Sequence, residues 1–464
     1  MTISPETKDY IKSVKLPHFV NTRHIAAISG MSTEAEKVLV ANILAGNNTC
    51  LSGNPSVGKT QFMWDVIQSM VGESNSLQIR EELHRGDIKG LFRYLDRNAY
   101  EATGRSDEAV KPKNIERVLF GIEEITRSGP LQNSLFAIAD GEIYDDATGN
   151  FYRLGRETDK GRYHVCIATG NIANGDFAFA GQVDDALATR FHLFVDIDDM
   201  PRTVSDDTTI YLQHRGPRVA FSTPLSAEEQ SKRLEQLLKA HAEITQRHKE
   251  PDIVEDAVLK YFSFGLDHCQ KYNGGEHALV PHSKRAMKHA WPVMCTTCEH
   301  YDKLQFSCGA VKPAEPRHTN AWRRLRNALE AVAEAHDAEV KEEDRIPNLL
   351  ETIKLMAPYT MQWNPYLVKS GTCMQNPGNA ARGIVKEFSD TWSTLRDSFI
   401  REATLASKGK LYDTAERAKL KLGPADERTQ LLSTIDASEK TKLFGYLREV
   451  LDDYNNRIQR GDVL

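Results

Sequence analysis

Cysteine is scarce in this 464-residue chain. The seven present are an odd number, scattered from Cys50 to Cys373, without the dense and even spacing of a disulfide framework. That excludes a small stapled scaffold and makes a reducing cytoplasm the expected compartment. Long apolar runs are missing as well. No stretch approaches the 18 or so residues needed to span a bilayer, so no membrane contact is expected. The opening Met1-Thr-Ile-Ser-Pro-Glu-Thr-Lys8 lacks the basic start and apolar core of a secretory signal. Positive charge is not in excess: the formal net charge is −6, which argues against a protein whose main task is neutralising a nucleic-acid backbone. Neither a fixed-period repeat nor a low-complexity tract is found. What remains, 40% apolar and 27% charged residues, is a globular composition long enough for two to four domains.

Against these absences one octapeptide stands out. Gly53-Asn54-Pro55-Ser56-Val57-Gly58-Lys59-Thr60 satisfies G-x-x-x-x-G-K-[ST] in full. The glycines let the backbone curl so that successive N–H groups face one anionic point. Lys59 is placed to reach the β/γ-phosphates, and the Thr60 hydroxyl to ligate Mg²⁺. A strand-like run, Asn48–Ser52, precedes the loop. A helix-like run, Gln61–Met70, follows it and would turn its positive end toward a phosphate. These features point to a nucleotide phosphate and Mg²⁺ as ligands.

Between residues 48 and 198 short apolar strands alternate with helical stretches, namely Thr49–Ser52, Val118–Ile122, His164–Thr169 and Leu193–Ile197. This alternation predicts a parallel sheet with helical crossovers. An amphipathic helix over Thr33–Ala45, started by Ser32 or Thr33, leads into the loop. Residues 142–163 read as a hairpin around a turn-like Asp-Ala-Thr-Gly-Asn centre. Beyond residue 200 the pattern is helical, with a helix capped by Ser226, another over Ile253–Tyr272, and further ones including Trp322–Ala335, Ala381–Thr404 and Glu439–Tyr454. Gly309–His318 and Pro358–Gly378 read as irregular interruptions. The expected division is an N-terminal arm (1–35), a nucleotide-binding core (36–200), a helical lid (201–304) and a mostly helical C-terminal domain (305–464).

Hydrolysis needs more than a phosphate loop, and carboxylates are expected at the end of another buried strand. Val118–Ile122 is followed by Glu123 and Glu124, which places two at a carboxyl-end tip, where open α/β sheets put their ligand crevice. The first is assigned to the Mg²⁺ shell and the second to the attacking water. Asp140 and Glu142 look similar, but residues 130–141 carry helical spacing through Leu131, Leu135, Phe136 and Ile138.

Taken together, these segments resemble an AAA+ ATPase, specifically the MoxR-like group and its midasin-type relatives, over roughly residues 25–300. The family's apolar-Asp-Glu-Ile-Asn-Arg strand is matched by Ile122-Glu123-Glu124-Ile125-Thr126-Arg127, with Glu123 in place of Asp. A longer carboxylate changes the geometry around Mg²⁺, which tolerates little distortion, so slow turnover is one expectation. The resemblance implies that Asn171, ending His164-Val-Cys-Ile-Ala-Thr-Gly-Asn171, contacts the attacking water or γ-phosphate. It implies that Arg190, in Asp185-Ala-Leu-Ala-Thr-Arg190-Phe191, reaches a neighbouring subunit's nucleotide. It also implies that Arg285, in Pro281-His-Ser-Lys-Arg285, senses the γ-phosphate from the lid. Asp87-Ile-Lys-Gly90 is similar to a family segment before the acidic strand. Gln61 completes the loop set. The implied assembly is a homo-oligomeric, commonly hexameric ring that remodels a protein client, one class being separate von Willebrand factor A domain proteins.

Two other readings differ in class. A nucleic-acid motor would use the 142–163 hairpin, but Arg153, Arg156, Lys160 and Arg162 are offset there by Asp145, Asp146, Glu157 and Asp159, a balance that does not favour a phosphate track. A nucleotide-gated assembly protein with little turnover is the third. Cys295, Cys298 and His300, with Cys308 and His318 downstream, include zinc-ligand types, yet their spacing is irregular and buried thiols explain them. Arg317 with Arg323, Arg324 and Arg326 reads as a solvated helix face. Tyr359, Trp363 and Tyr366 read as a patch under a loop.

Overall fold

The computed structural model describes residues 2–14, 24–53, 58–79, 90–105, 109–125, 132–145, 149–159, 161–171, 187, 189–197, 224–248, 252–263, 265–269, 280–281, 310–312, 314, 316–363, 377–423 and 440–462. They form two compact units, Met1–Arg247 with Ala321–Met356, and His248–Asn320 with Ala357–Leu464.

The first unit opens with α1 (Pro5–Ser13), whose N-terminus is capped by the Ser4 side chain and whose Tyr10 hydroxyl donates to the Met70 carbonyl. A hairpin follows, β1 (His24–Ile28) and β2 (Met31–Glu34). Ser29 and Gly30 form its turn at positive φ. The pairing of Ser32 and Thr33 with β1 overrides the expected helix start there. The next helix, α2 (Ala35–Leu44), begins after Glu34 and is buried almost throughout.

Five strands then build one parallel sheet: β3 (Thr49–Gly53), β4 (Ser76–Ile79), β7 (Leu119–Ile122), β12 (Val165–Asn171) and β13 (Leu193–Asp196). α3 (Lys59–Met70) crosses from β3 to β4. Between β4 and β7 run the two short strands β5 (Arg93–Leu95) and β6 (Val110–Pro112), with α4 (Arg97–Thr103) between them. α5 (Gln132–Asp140) follows β7. The predicted hairpin at 142–163 is two hairpins in series, β8 (Glu142–Asp145) with β9 (Asn150–Arg153) and β10 (Arg156–Thr158) with β11 (Gly161–Tyr163). Gly155 makes the break. It sits at φ 94°, and a Cβ there would fall 2.1 Å from the Tyr163 carbonyl oxygen, so only glycine fits.

The spatial order of the sheet is β13-β3-β12-β7-β4, every pair parallel. The strand that follows β3 in the chain therefore lies at the far edge, while β12 is inserted between β3 and β7. Connections leave β3 and β12 in opposite directions, which makes their carboxyl ends a topological switch point. All five residues of β3 and all four of β7 are buried, as strands inside a sheet covered on both faces require. α3 packs on one face through Phe62, Met63, Val66, Ile67 and Met70. Its approach to β7 is close, since a Cβ at Gly121 would lie 2.8 Å from the Trp64 ring.

α6 (Ala227–Gln246) is entered through the expected Ser226 cap, a full capping box with Glu229, and buries Leu234, Leu237 and Ile244. Most of α8 (Pro316–Ala335) and α9 (Arg345–Thr360) also belongs to this unit. Here the solvated-face expectation fails. Arg326 is fully buried and lies 3.8 Å from Glu330, which also faces Arg247 at 3.6 Å. Glu334 accepts from Arg247 at 2.8 Å, and Asn348 donates to Glu330 at 3.1 Å.

The second unit is mostly helical. α7 (Ile253–Ser263), α10 (Pro377–Ala406) and α12 (Lys440–Arg460) pack together around Tyr261, Phe262, Phe388, Trp392 and Tyr446. α11 (Thr414–Lys419) adds the buried pair Arg417–Glu402 at 3.2 Å. The two-residue strands β14 (His268–Cys269) and β15 (Val280–Pro281) pair with each other, as do β16 (Ala310–Lys312) and β17 (Gln362–Trp363). Among the described residues, no helix is long and apolar enough to cross a membrane.

Candidate active site

Gly53 closes β3, and the described chain resumes at Gly58, at φ 90°. That left-handed backbone is ready for glycine and strained for other residues. Lys59 is the first residue of α3 and is 4% exposed. A buried ammonium has to be paired, and its Nζ donates to the Gly53 carbonyl oxygen at 2.9 Å. The ends of the loop are thereby tied together through the lysine. Among the described residues α3 has no side-chain cap and no acidic residue in its first turn, which suits its positive end to an anion. Thr60 and Gln61 are half-buried, and Gln61 donates to Asp65 Oδ1 at 3.1 Å. Asn54, Pro55, Ser56 and Val57 lie outside the described residues.

The two carboxylates follow β7, one strand removed from β3. Glu123 Oε1 accepts from Trp64 Nε1 at 3.2 Å and from the Gln78 amide, so its carboxylate is oriented by α3 and by the end of β4. Glu124 has φ 50°, an uncommon backbone for a non-glycine residue. It is held there by its N–H, which donates to Thr169 Oγ1 at 3.0 Å. Asn171 ends β12 in register with Gly53. Its backbone thus stands beside the loop, while its side chain lies outside the described residues, as does Arg285.

Lys59, Thr60, Glu123, Glu124 and the Asn171 backbone therefore gather at the carboxyl edge of the sheet. Arg190 does not join them. Its carbonyl accepts from Asn48 Nδ2 at 3.0 Å, just before β3 begins, and its Nε donates to Asp140 Oδ2 at 2.8 Å. Its guanidinium lies over the Phe136 ring, 4.7 Å from the centroid. The five residues of β3 separate the two edges by about 16 Å at ordinary strand rise.

Sequence reasoning passed over Trp64, Gln78 and Thr169. Thr169 had a signal, since period-two alternation puts it on the same face as Asn171. For Trp64 and Gln78 the link to Glu123 exists only in three dimensions. Burial pushes the Cys50 thiol up to about 12, against the opposing pull of the Lys59 charge, so it is no nucleophile at neutral pH.

Among the described residues, no group of three or more His, Cys, Asp or Glu converges on a metal position. Mg²⁺ held chiefly through phosphate oxygens needs only one or two protein oxygens. The Thr60 hydroxyl and the Glu123 carboxylate are hard oxygen donors of that kind, so this edge of the sheet fits the ion. Cys295, Cys298, His300 and Cys308 lie outside the described residues, and His318 is buried.

No protein-family model matches the chain, and no curated protein does. Among solved structures, the crystal structure of a Cytophaga hutchinsonii ATCC 33406 protein described as a "putative ATPase" is similar to this chain with a TM-score of 0.49 and 13% identity. The likeness covers 82% of this chain and 93% of that one. At such identity the chemistry has to be argued from the residues themselves.

Proposed function

We propose that this chain is an Mg-ATP-dependent ATPase of the AAA+ class, MoxR-like, that assembles into a ring and remodels a protein partner. The observation that carries the reading is the convergence, at one switch point, of a lysine-bearing helix N-terminus, two strand-end carboxylates and the end of β12. In this reading Lys59, Gly58 and the amino end of α3 bind the β/γ-phosphates. Thr60 and Glu123 hold Mg²⁺, which when bound offsets phosphate charge. Glu124 takes the proton of the attacking water, and Thr169 fixes the backbone from which it does so. Asn171 and Arg285 contact the γ-phosphate.

Arg190, about 16 Å of strand away, is too distant to serve its own chain's nucleotide and is assigned to a neighbour's. A protein client, such as a separate von Willebrand factor A domain protein, is favoured over nucleic acid by the hairpins. Their arginines are already paired, Arg153 with Glu142, Arg156 with Glu116 and Arg162 with Glu157. The Tyr144 and Phe151 rings meet at 4.9 Å between centroids, tilted by 46°, and are 51% and 72% exposed, an aromatic pair suited to a polypeptide.

The test measures ATPase rate and solution mass with and without ATP for the wild type, Glu124→Gln and Arg190→Ala. The proposal expects ATP-dependent rings, hydrolysis lost in both variants, and a Glu124→Gln ring that persists. Binding of ATP without hydrolysis or change of mass in the wild type would sink it.

A further inference from the structure

At the amino edge of the sheet, remote from the phosphate loop, the first unit contains a cavity of about 330 Å³, within the range of small-ligand sites. Its charges pair off almost completely. Asp140 receives Arg190 at 2.8 Å, Glu142 faces Arg153 at 3.4 Å, and Arg162 reaches Glu157 at 3.1 Å. Arg324, on α8, is left over. It lines the cavity, its Nε is buried with no hydrogen-bond partner, and no carboxylate lies within ion-pairing distance among the described residues. Its surroundings oppose the charge through burial alone. A guanidinium cannot escape by losing its proton at physiological pH, and a buried charge without a counter-ion is a costly arrangement.

We infer that this cavity binds a phosphoryl oxyanion, with Arg324 as its charged anchor; Arg162 and Arg153 also line it and are already paired with Glu157 and Glu142. A planar carboxylate is satisfied by a single guanidinium fork, whereas the arginines of this lining come from three separate elements, α8, β11 and β9. A tetrahedral phosphoryl group accepts from several directions at once. The volume admits more than a bare phosphate, so free phosphate and a phosphate ester both qualify as sources. The site lies at the opposite edge of the sheet from its own chain's phosphate loop and borders Asp140, the seat of Arg190.

The test works in a Lys59→Ala background, so that the phosphate loop contributes less to any signal. Thermal shift and titration calorimetry are run with inorganic phosphate and with AMP, against chloride at equal ionic strength. The expected result is saturable stabilisation by phosphate or AMP and not by chloride. A lower dissociation constant for AMP identifies an ester as the better ligand. Arg324→Met should weaken binding at least tenfold while leaving the ligand-free protein as stable as its parent or more so, because an unpaired buried charge is removed. Arg324→Lys, which keeps the charge without the fork, should retain part of the affinity. Three outcomes overturn the inference: no stabilisation by either probe, stabilisation that survives in Arg324→Met, or self-association of the protein that is lost in Arg324→Met. The last would mean that a second copy's side chain fills the cavity.

Discussion

Glu124 occupies a left-handed backbone, and its N–H donates to the Thr169 hydroxyl. Thr169→Val keeps the shape and removes the acceptor for the Glu124 N–H. Losing one hydrogen bond that positions the proposed base is worth about 1.4 kcal/mol, or roughly tenfold in rate. Turnover should fall by that factor while ATP affinity, measured by direct binding, stays within about twofold. An equal loss in both would show that Thr169 merely holds the fold. Gly121 presents the converse case, a residue needed for its emptiness. With the Trp64 ring where a Cβ would sit, Gly121→Val should cost about 1–3 kcal/mol of stability by overpacking, read as a lower denaturant midpoint at unchanged slope.

At the scale of elements, much was legible beforehand. β3, β7, β12, β13, the α6 cap and the α5 helix over 132–140 all announced themselves through local chemistry: apolar runs, helical spacing and a Ser-x-x-Glu box. β4 was not read, because Ser76-Leu-Gln-Ile79 is short and becomes a strand by pairing with β7. The two hairpins merged into one because the glycine that divides them is demanded by a carbonyl eight residues away. Arg326 was misplaced on a solvated face, while Arg317 is exposed as expected; the carboxylates that hold Arg326 and Arg247, Glu330 and Glu334, lie on the same helix. That network gives a sharp prediction. Glu330→Ala removes the carboxylate facing buried Arg326, while Glu334 still holds Arg247, and should cost about 3–5 kcal/mol, measured by chemical unfolding. A loss under about 1 kcal/mol would show that Glu334 alone suffices.

The whole molecule should lose stability in mild acid. Burial holds His164 down to about 4 and lowers His241 as well, so both are neutral in the folded chain at pH values where the unfolded chain protonates them. Protons thus bind preferentially to the unfolded state between about pH 6.5 and 4, and stability is complete above that window and declines as pH falls through it. His164 alone should account for about 3 kcal/mol at the acid end, and His164→Leu should flatten the pH profile of the melting temperature. The assembly carries its own test. Mixing Arg190→Ala with Lys59→Ala should restore partial ATPase activity, because each supplies what its neighbour lacks. Two inactive variants that stay inactive when mixed, in a mixture shown to co-assemble, would place Arg190 in a purely structural role.

β3 has one further consequence. At its start Asn48 is bonded to Ala139, Arg190, His192 and Cys166. At its end the Gly53 carbonyl holds Lys59. A single buried strand is therefore anchored at both tips to groups assigned to different nucleotides. Such a strand is pinned like a beam clamped at both ends, and the amides of Cys50 and Leu51 should rank among the slowest in the molecule to exchange with deuterium.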